Sequence, residues 1–460
     1  METSTSDRTT IGDDDNTYYS LGMTYRKTYE SPKHYLSGSA DWSVGDGTGL
    51  EDYSEYFYDI SGGLLDDPFL QSLSRPETNK DLTLQTDYVH PFKNGNQLET
   101  GLKYTSEIKD NTLYSESYNY TDADWNVDDS LNNRFVYDQD VVAAYVIWNS
   151  SIKKFGYQLG LRAEQTYTNS ELVTTNEIFE NNYFGLFPSV HTAYKFDQTS
   201  EISASYSRRI SRPRSWFLNP FPDYSDPYNL RRGNPFLEPE YENSYEIGYT
   251  KEFKKHSLSA SVYYRQTLNE ISPYIYIDAE GISNMTFENY NTEKRYGIEL
   301  VGKHEFFKWW NMTSSFNFNQ TLVDAQNLEN GLTNNVVMYN IRLMSFFQLP
   351  KQTSLQVTYM YNTPWTFAQG KFNPIQSLDL GTKTDLFKNT FSVALSVRDI
   401  FNTRQWGGYS EGYNFYTEVL RKRESRIGTL TLTYKFGQQD RKRGRQGMDE
   451  NYDGGGYDMF

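Results

Sequence analysis

Apolar and polar residues alternate with a period of two along much of this chain. Leu82, Leu84, Thr86 and Tyr88 share one face, as do Leu98, Thr100, Leu102 and Tyr104. Tyr157, Leu159, Leu161 and Ala163 oppose Gln158, Gly160, Arg162 and Glu164. Leu258, Ala260, Val262 and Tyr264 oppose Ser257, Ser259, Ser261 and Tyr263. Met312, Ser314, Phe316 and Phe318 repeat the pattern, and so do Leu430, Leu432, Tyr434 and Phe436. A residue pattern of this kind predicts strands with one greasy and one polar face. Less than about a tenth of the residues is expected to be helical. Lipid outside and water inside a closed wall produces both faces. A soluble sandwich alternates too, so alternation alone leaves both architectures open.

The connections separate them. Short polar turns are read at Glu30–Lys33, Lys93–Asn96, Ser150–Lys154, Asp197–Thr199, Phe253–Lys255, Phe306–Lys308, Pro350–Gln352 and Phe387–Asn389. They alternate with long loops at Val44–Lys80, Asp110–Asn133, Asn169–Asn182, Ser211–Pro239, Val323–Gly331, Pro364–Asn373 and Thr403–Gly412. One tight turn, at Glu280-Gly281, joins two long strands. Short inner turns and long outer loops are the asymmetry of outer-membrane barrels. The expected fold is therefore all-β, a large antiparallel transmembrane β-barrel of about 17 strands here. The first strand, read at Thr17–Tyr29, and the last, read at Tyr413–Phe436, both run toward the periplasm. Bacterial barrels use even strand numbers, so an open or strained seam is expected at Thr17–Tyr29.

Composition sharpens this picture. Hydrophobic residues make up only 37% of the 460-residue chain, yet aromatics reach 17%, with 40 Tyr and 28 Phe. A wall that shows lipid every second residue, with aromatic girdles at both interfaces, accounts for both figures. No run approaches the roughly 18 consecutive apolar residues of a membrane helix. The absence of cysteine excludes disulfides, thiolate zinc sites and a cysteine nucleophile. The net charge of −16 argues against nucleic acid as a partner. The opening METSTSDRTTIGDDDNT has neither the basic nor the apolar region of a secretory signal.

The stretch Ser207–Tyr249 stands apart. Pro213, Pro220, Pro222, Pro227 and Pro235 bar it from a strand interior, and Gly233-Asn234-Pro235 marks a sharp turn. Trp216, Phe217, Tyr224 and Tyr228 lie beside Arg212, Arg214, Arg231 and Arg232. Aromatics with arginines are the usual means of gripping a ligand or saccharide. The same residues could equally fold the loop onto the barrel rim, and the sequence leaves both readings standing.

The segment SRRISRPRSWFLNPF…DPYNLRRGNPFLEPE…NSYEIGY resembles the hallmark of the outer-membrane β-barrel family related to TonB-dependent receptors, in its Bacteroidetes-type form. LETGLKYTSEIKD, YQLGLRAEQT, LFPSVHTAYKF, RYGIELVGKHEFF, VRDIFNT and TLTLTYKFG extend the likeness in order from about Thr17 to the end. The resemblance implies a 22-stranded receptor barrel preceded by a signal peptide, usually a small β-sandwich domain, a plug and about five further strands. On that reading the chain comprises an N-terminal loop remnant (1–16), the barrel (17–436) and a disordered polar tail (437–460). It would sit in the lipid of the Gram-negative outer membrane. It would import a scarce extracellular ligand, with the TonB complex acting through the upstream region. A passive porin-like channel and a barrel-anchored adhesin are the alternatives.

Signals of catalysis are weak, and neither an enzyme nor a cofactor is expected. His34, His90, His191, His256 and His304 are scattered over separate strands and turns, with no HExxH, GxSxG or P-loop pattern. Asp122, Asp124, Asp128 and Asp129, like Asp13–Asp15, could hold calcium or could be solvated loop surface. Arg441, Lys442, Arg443 and Arg445 form a basic cluster in the tail, suited to anionic lipid or to plain solvation.

Overall fold

The computed structural model describes residues 4–129, 131–223, 229–387, 390–412 and 414–436. Strand accounts for 76% of it and helix for 1%. The strands in chain order are β1 (Ser4–Thr28), β2 (Tyr35–Asp59), β3 (Phe69–Pro91), β4 (Gln97–Asn119), β5 (Asp124–Val127), β6 (Asn133–Ile152), β7 (Phe155–Leu172) and β8 (Glu177–Lys195). Then follow β9 (Ser200–Ser211), the one-turn helix α1 (Ser215–Leu218), β10 (Asn229–Arg231), β11 (Glu240–Glu252), β12 (His256–Ile277), β13 (Ser283–Phe307), β14 (Trp310–Asp324) and β15 (Thr333–Leu349). The last are β16 (Thr353–Asn362), β17 (Thr366–Phe367), β18 (Gly370–Phe372), β19 (Ile375–Leu386), β20 (Phe391–Val397), β21 (Trp406–Gly412), β22 (Phe415–Arg421) and β23 (Gly428–Tyr434).

Chain neighbours pair antiparallel through the wall β1-β2-β3-β4-β6-β7-β8-β9-β11-β12-β13-β14-β15-β16-β19-β20-β23. Among the described residues the wall thus has seventeen strands, and β5 and β10 add short ladders to make a nineteen-stranded sheet. Among the described residues β1 pairs only with β2, and β23 only with β20. Both edge strands run toward the end that carries the short turns.

The two faces match the sequence pattern. Leu102, Leu159, Leu161, Val262 and Leu432 are exposed outward, an arrangement that water would penalise and lipid rewards. Aromatic belts bound this apolar band. Tyr206, Tyr245, Tyr264 and Tyr296 are register partners on four successive strands, with ring centroids 4.8–6.0 Å apart. At the other end Phe306, Phe307, Trp309, Trp310 and Phe347 stack beside the short turns. Tyr296 and Phe306 are ten residues apart on β13. At about 3.3 Å per residue and about 40° of tilt, that spans about 25 Å, the height of an outer-membrane apolar band.

Several boundaries differ from the sequence reading. The first strand begins at Ser4, well before Thr17, so Asp13, Asp14 and Asp15 pair with β2 instead of lying in a loop. Most of Val44–Lys80 and Asp110–Asn133 is also strand, because β2, β3 and β4 continue above the membrane. The last stretch is two strands, not one: β22 belongs elsewhere, and only β23 joins the wall, as its last strand. The break follows from VRDIFNT. Asp399, at φ 44°, accepts hydrogen bonds from Thr403 N, Arg404 N and Ser425 Oγ at 2.9, 2.9 and 2.6 Å, fixing a turn after β20. The segments read as loops around Pro364 and Thr403 supply β17, β18 and β21, which with β22 build a second, four-stranded sheet.

Candidate functional site

The proline-rich stretch between β9 and β11 does not stand out from the wall. It folds back against it. Leu218 and Leu237 join Phe135 and Tyr137 of β6, Leu172 of β7 and Phe287 of β13 in one buried cluster. Phe217 packs on Phe287 with centroids 4.1 Å apart. Gly233 makes this possible, since a Cβ there would overlap the Phe217 carbonyl. Gly233 N donates to Asn219 O and Asn234 N to Phe217 O, both at 2.6 Å. The Asn234 side chain then reaches the Phe287 carbonyl at 3.1 Å.

Polar contacts complete the anchorage. Arg212 Nη2 meets Glu164 Oε2 at 2.5 Å and Thr166 Oγ1 at 3.0 Å, while Arg162 pairs with the other Glu164 oxygen. Arg232 Nη2 donates to Asn284 Oδ1 at 2.5 Å, and Arg232 N to Met285 O at 3.0 Å. β10 adds a short parallel pairing onto β13. At the loop's end Glu238 N donates to Asn289 Oδ1 at 2.8 Å, and Asn269 Nδ2 donates to Glu238 Oε2 at 2.9 Å. Asn269 sits at φ 55°, a left-handed position that Asn tolerates.

The eight residues singled out from the sequence therefore divide. Arg212, Phe217 and Arg232 are struts that hold the loop. Arg214, Trp216 and Arg231 are exposed on it. Trp216 is braced edge-on against Phe287 at 5.1 Å. Tyr224 and Tyr228 lie outside the described residues, as does the basic cluster of the tail. The sequence reading missed Phe236, which is 76% exposed and leans on Phe179 at 5.5 Å. It also missed Gln369, whose amide exchanges two hydrogen bonds with the Ile275 backbone at 2.8 and 2.9 Å and ties the second sheet to β12. Only their spacing in the fold reveals these two.

A carboxylate group sits beside the loop, above the tyrosine belt and outside the membrane-spanning part. Burial raises Glu270 well above the usual carboxylate range, and the charges of Glu293 and Glu240 raise it further. Its Oε2 is closed off from solvent without a hydrogen-bond partner. Glu240 is also raised by burial, although it accepts Ile271 N at 2.7 Å. Among the described residues no three His, Cys, Asp or Glu side chains converge as a metal site. Asp13, Asp14 and Asp15 cannot, because successive strand residues point to opposite faces. Four histidines do meet in pairs, correcting the impression of scatter: His34 with His90, and His256 with His304, each at 3.4 Å.

An all-antiparallel wall, outward apolar residues, two aromatic belts and short inner turns define an outer-membrane β-barrel. The chain belongs to the outer membrane protein beta-barrel family, whose model matches residues 27–434. No curated protein matches it in sequence. Among solved structures it is similar to the copper transporter OprC, at 12% identity and TM-score 0.61, covering 92% of this chain and 67% of that one. It is also similar to the siderophore receptor PiuA from Acinetobacter baumannii, at 12% identity and TM-score 0.59, covering 94% and 75%. The ferric yersiniabactin uptake receptor FyuA from Yersinia pestis gives 13% identity and TM-score 0.54, covering 88% and 63%. The chain thus spans about two thirds to three quarters of these longer proteins. At such identities the likeness establishes the fold.

Proposed function

We propose that this chain is the barrel part of a TonB-dependent receptor that imports a scarce extracellular ligand across the outer membrane. The observation that carries the reading is the in-folded loop. It is clamped to β6, β7 and β13 and presents Arg214, Trp216, Arg231 and Phe236 on its exposed side. Cations beside exposed rings suit an anionic or sugar-bearing ligand. A passive pore has no use for such a clamp. That β1 and β23 each have one wall partner among the described residues supports upstream strands and a plug as the complement of this part, with TonB acting through that upstream region. The transport neighbours support an importer rather than an enzyme.

The test is uptake of radiolabelled siderophores, cobalamin, oligosaccharides and peptides by cells expressing the protein. Accumulation of one of them is expected to depend on TonB. Trp216→Ala with Arg231→Ala should abolish it at unchanged surface abundance. Accumulation that survives loss of TonB would favour the porin-like alternative.

A further inference from the structure

We propose that His34, Tyr88 and His90 form a binding site for a divalent transition-metal ion at the inner rim of the wall. The three donor atoms make a nearly equilateral triangle. His34 Nε2 lies 3.1 Å from Tyr88 Oη, Tyr88 Oη lies 3.2 Å from His90 Nδ1, and the two nitrogens are 3.4 Å apart. A tetrahedral zinc ion holds its nitrogen and oxygen ligands at about 2.0–2.1 Å, which places any two of them about 3.3–3.4 Å apart. The triangle is one face of that tetrahedron, already formed.

Hydrogen bonding accounts for the triangle less completely. A phenol offers one proton, and each imidazole nitrogen carries either a proton or a lone pair. Two of the three edges can be hydrogen bonds of ordinary geometry. The third then brings two nitrogens together without a second donor hydrogen. A metal ion uses all three lone pairs at once.

The rings are held for this role. The turn that carries His34 is closed by Tyr29 N to His34 O at 2.9 Å and His34 N to Ser31 O at 2.8 Å. Tyr29 stacks on the His34 ring at 4.3 Å, and Phe92 packs edge-on to His90 at 4.7 Å. Tyr88 and His90 share one face of β3, two residues apart. All three side chains are half-buried, which leaves room for water as a fourth ligand. Paired imidazoles favour zinc, copper or nickel over calcium or magnesium. On binding, the Tyr88 O–H bond breaks, an oxygen–metal bond forms, and the proton passes to solvent. The ion would pin the β1–β2 turn to β3, next to a free edge of the wall.

The test uses the protein extracted from outer membranes in detergent. His256→Ala and His304→Ala are introduced first, to remove the other histidine pair. Zinc titration of this background is expected to show one ion per chain, and cobalt a tetrahedral visible spectrum. His34→Gln or His90→Gln should weaken zinc binding by on the order of a hundredfold. Tyr88→Phe should keep the fold, weaken binding, and reduce the metal-linked proton release by the phenol's share. Heat-modifiable gel mobility confirms folding of each variant. Zinc binding that is absent in the background protein, or unchanged by both glutamine substitutions, overturns the proposal.

Discussion

Gly233 and Leu237 decide whether the β9–β11 loop closes. Leu237 is 2% exposed at the centre of the loop cluster. Leu237→Ala should lower the opening free energy of the loop by about 2–5 kcal/mol, seen as faster hydrogen exchange of its amides. Glu270 sets a pH response. Between the ordinary glutamate value of about 4.3 and its raised native value, the folded state holds a proton that the unfolded chain has lost. Stability therefore falls as pH rises through that window and stays lower above it. Glu270→Gln should reduce the fall, leaving the part owed to Glu240, and raise the thermal midpoint at neutral pH. The local chemistry of the loop was legible in its prolines and in Gly-Asn-Pro. The identity of its anchors was not. Glu164 and Phe287 lie about fifty residues from Arg212 and Asn234 along the chain, and no local pattern links them.

Strands were legible where lipid wets one face and water the other. They were illegible where water wets both. Asp13–Asp15 continue β1 above the membrane as three successive carboxylates, so period two vanishes although pairing with β2 persists. The stretch after Arg421 failed for a related reason: a polar run can be strand or turn, and the hydrogen bond from Ser425 Oγ to Asp399, twenty-six residues away, is a tertiary fact. Within the apolar band the assignment is testable. Leu300 lies between the two belts and is exposed outward, while Glu299 and Val301 face the other way. Leu300→Arg should cost about 2–4 kcal/mol in a folding titration, and Val301→Arg much less. Equal costs would reverse the assigned faces.

At the scale of the whole wall, direction governs closure. Two edge strands that run the same way can meet only in a parallel seam, and unpaired backbone groups in lipid cost several kcal/mol each. The absence of native cysteines makes this easy to probe. Cysteines at Ala394 and Thr431, register partners on β20 and β23, should cross-link under mild oxidation. Cysteines at Tyr25 and Leu432, one on each edge, should stay separate. An efficient bond between the second pair would show that β1 and β23 meet.

The β12–β13 hairpin reaches further outward than the apolar band requires. Thirteen residues separate Tyr264 from Ile277, which at about 3.3 Å each and about 40° of tilt carries the turn at Gly281 about 30 Å beyond the tyrosine belt. That height makes the hairpin tip an address on the living cell. It is among the first polypeptide that an antibody or a bacteriophage tail fibre would touch. An epitope tag inserted between Glu280 and Gly281 should be stained on intact bacteria. The same tag between Lys153 and Lys154 should stay dark until the outer membrane is breached.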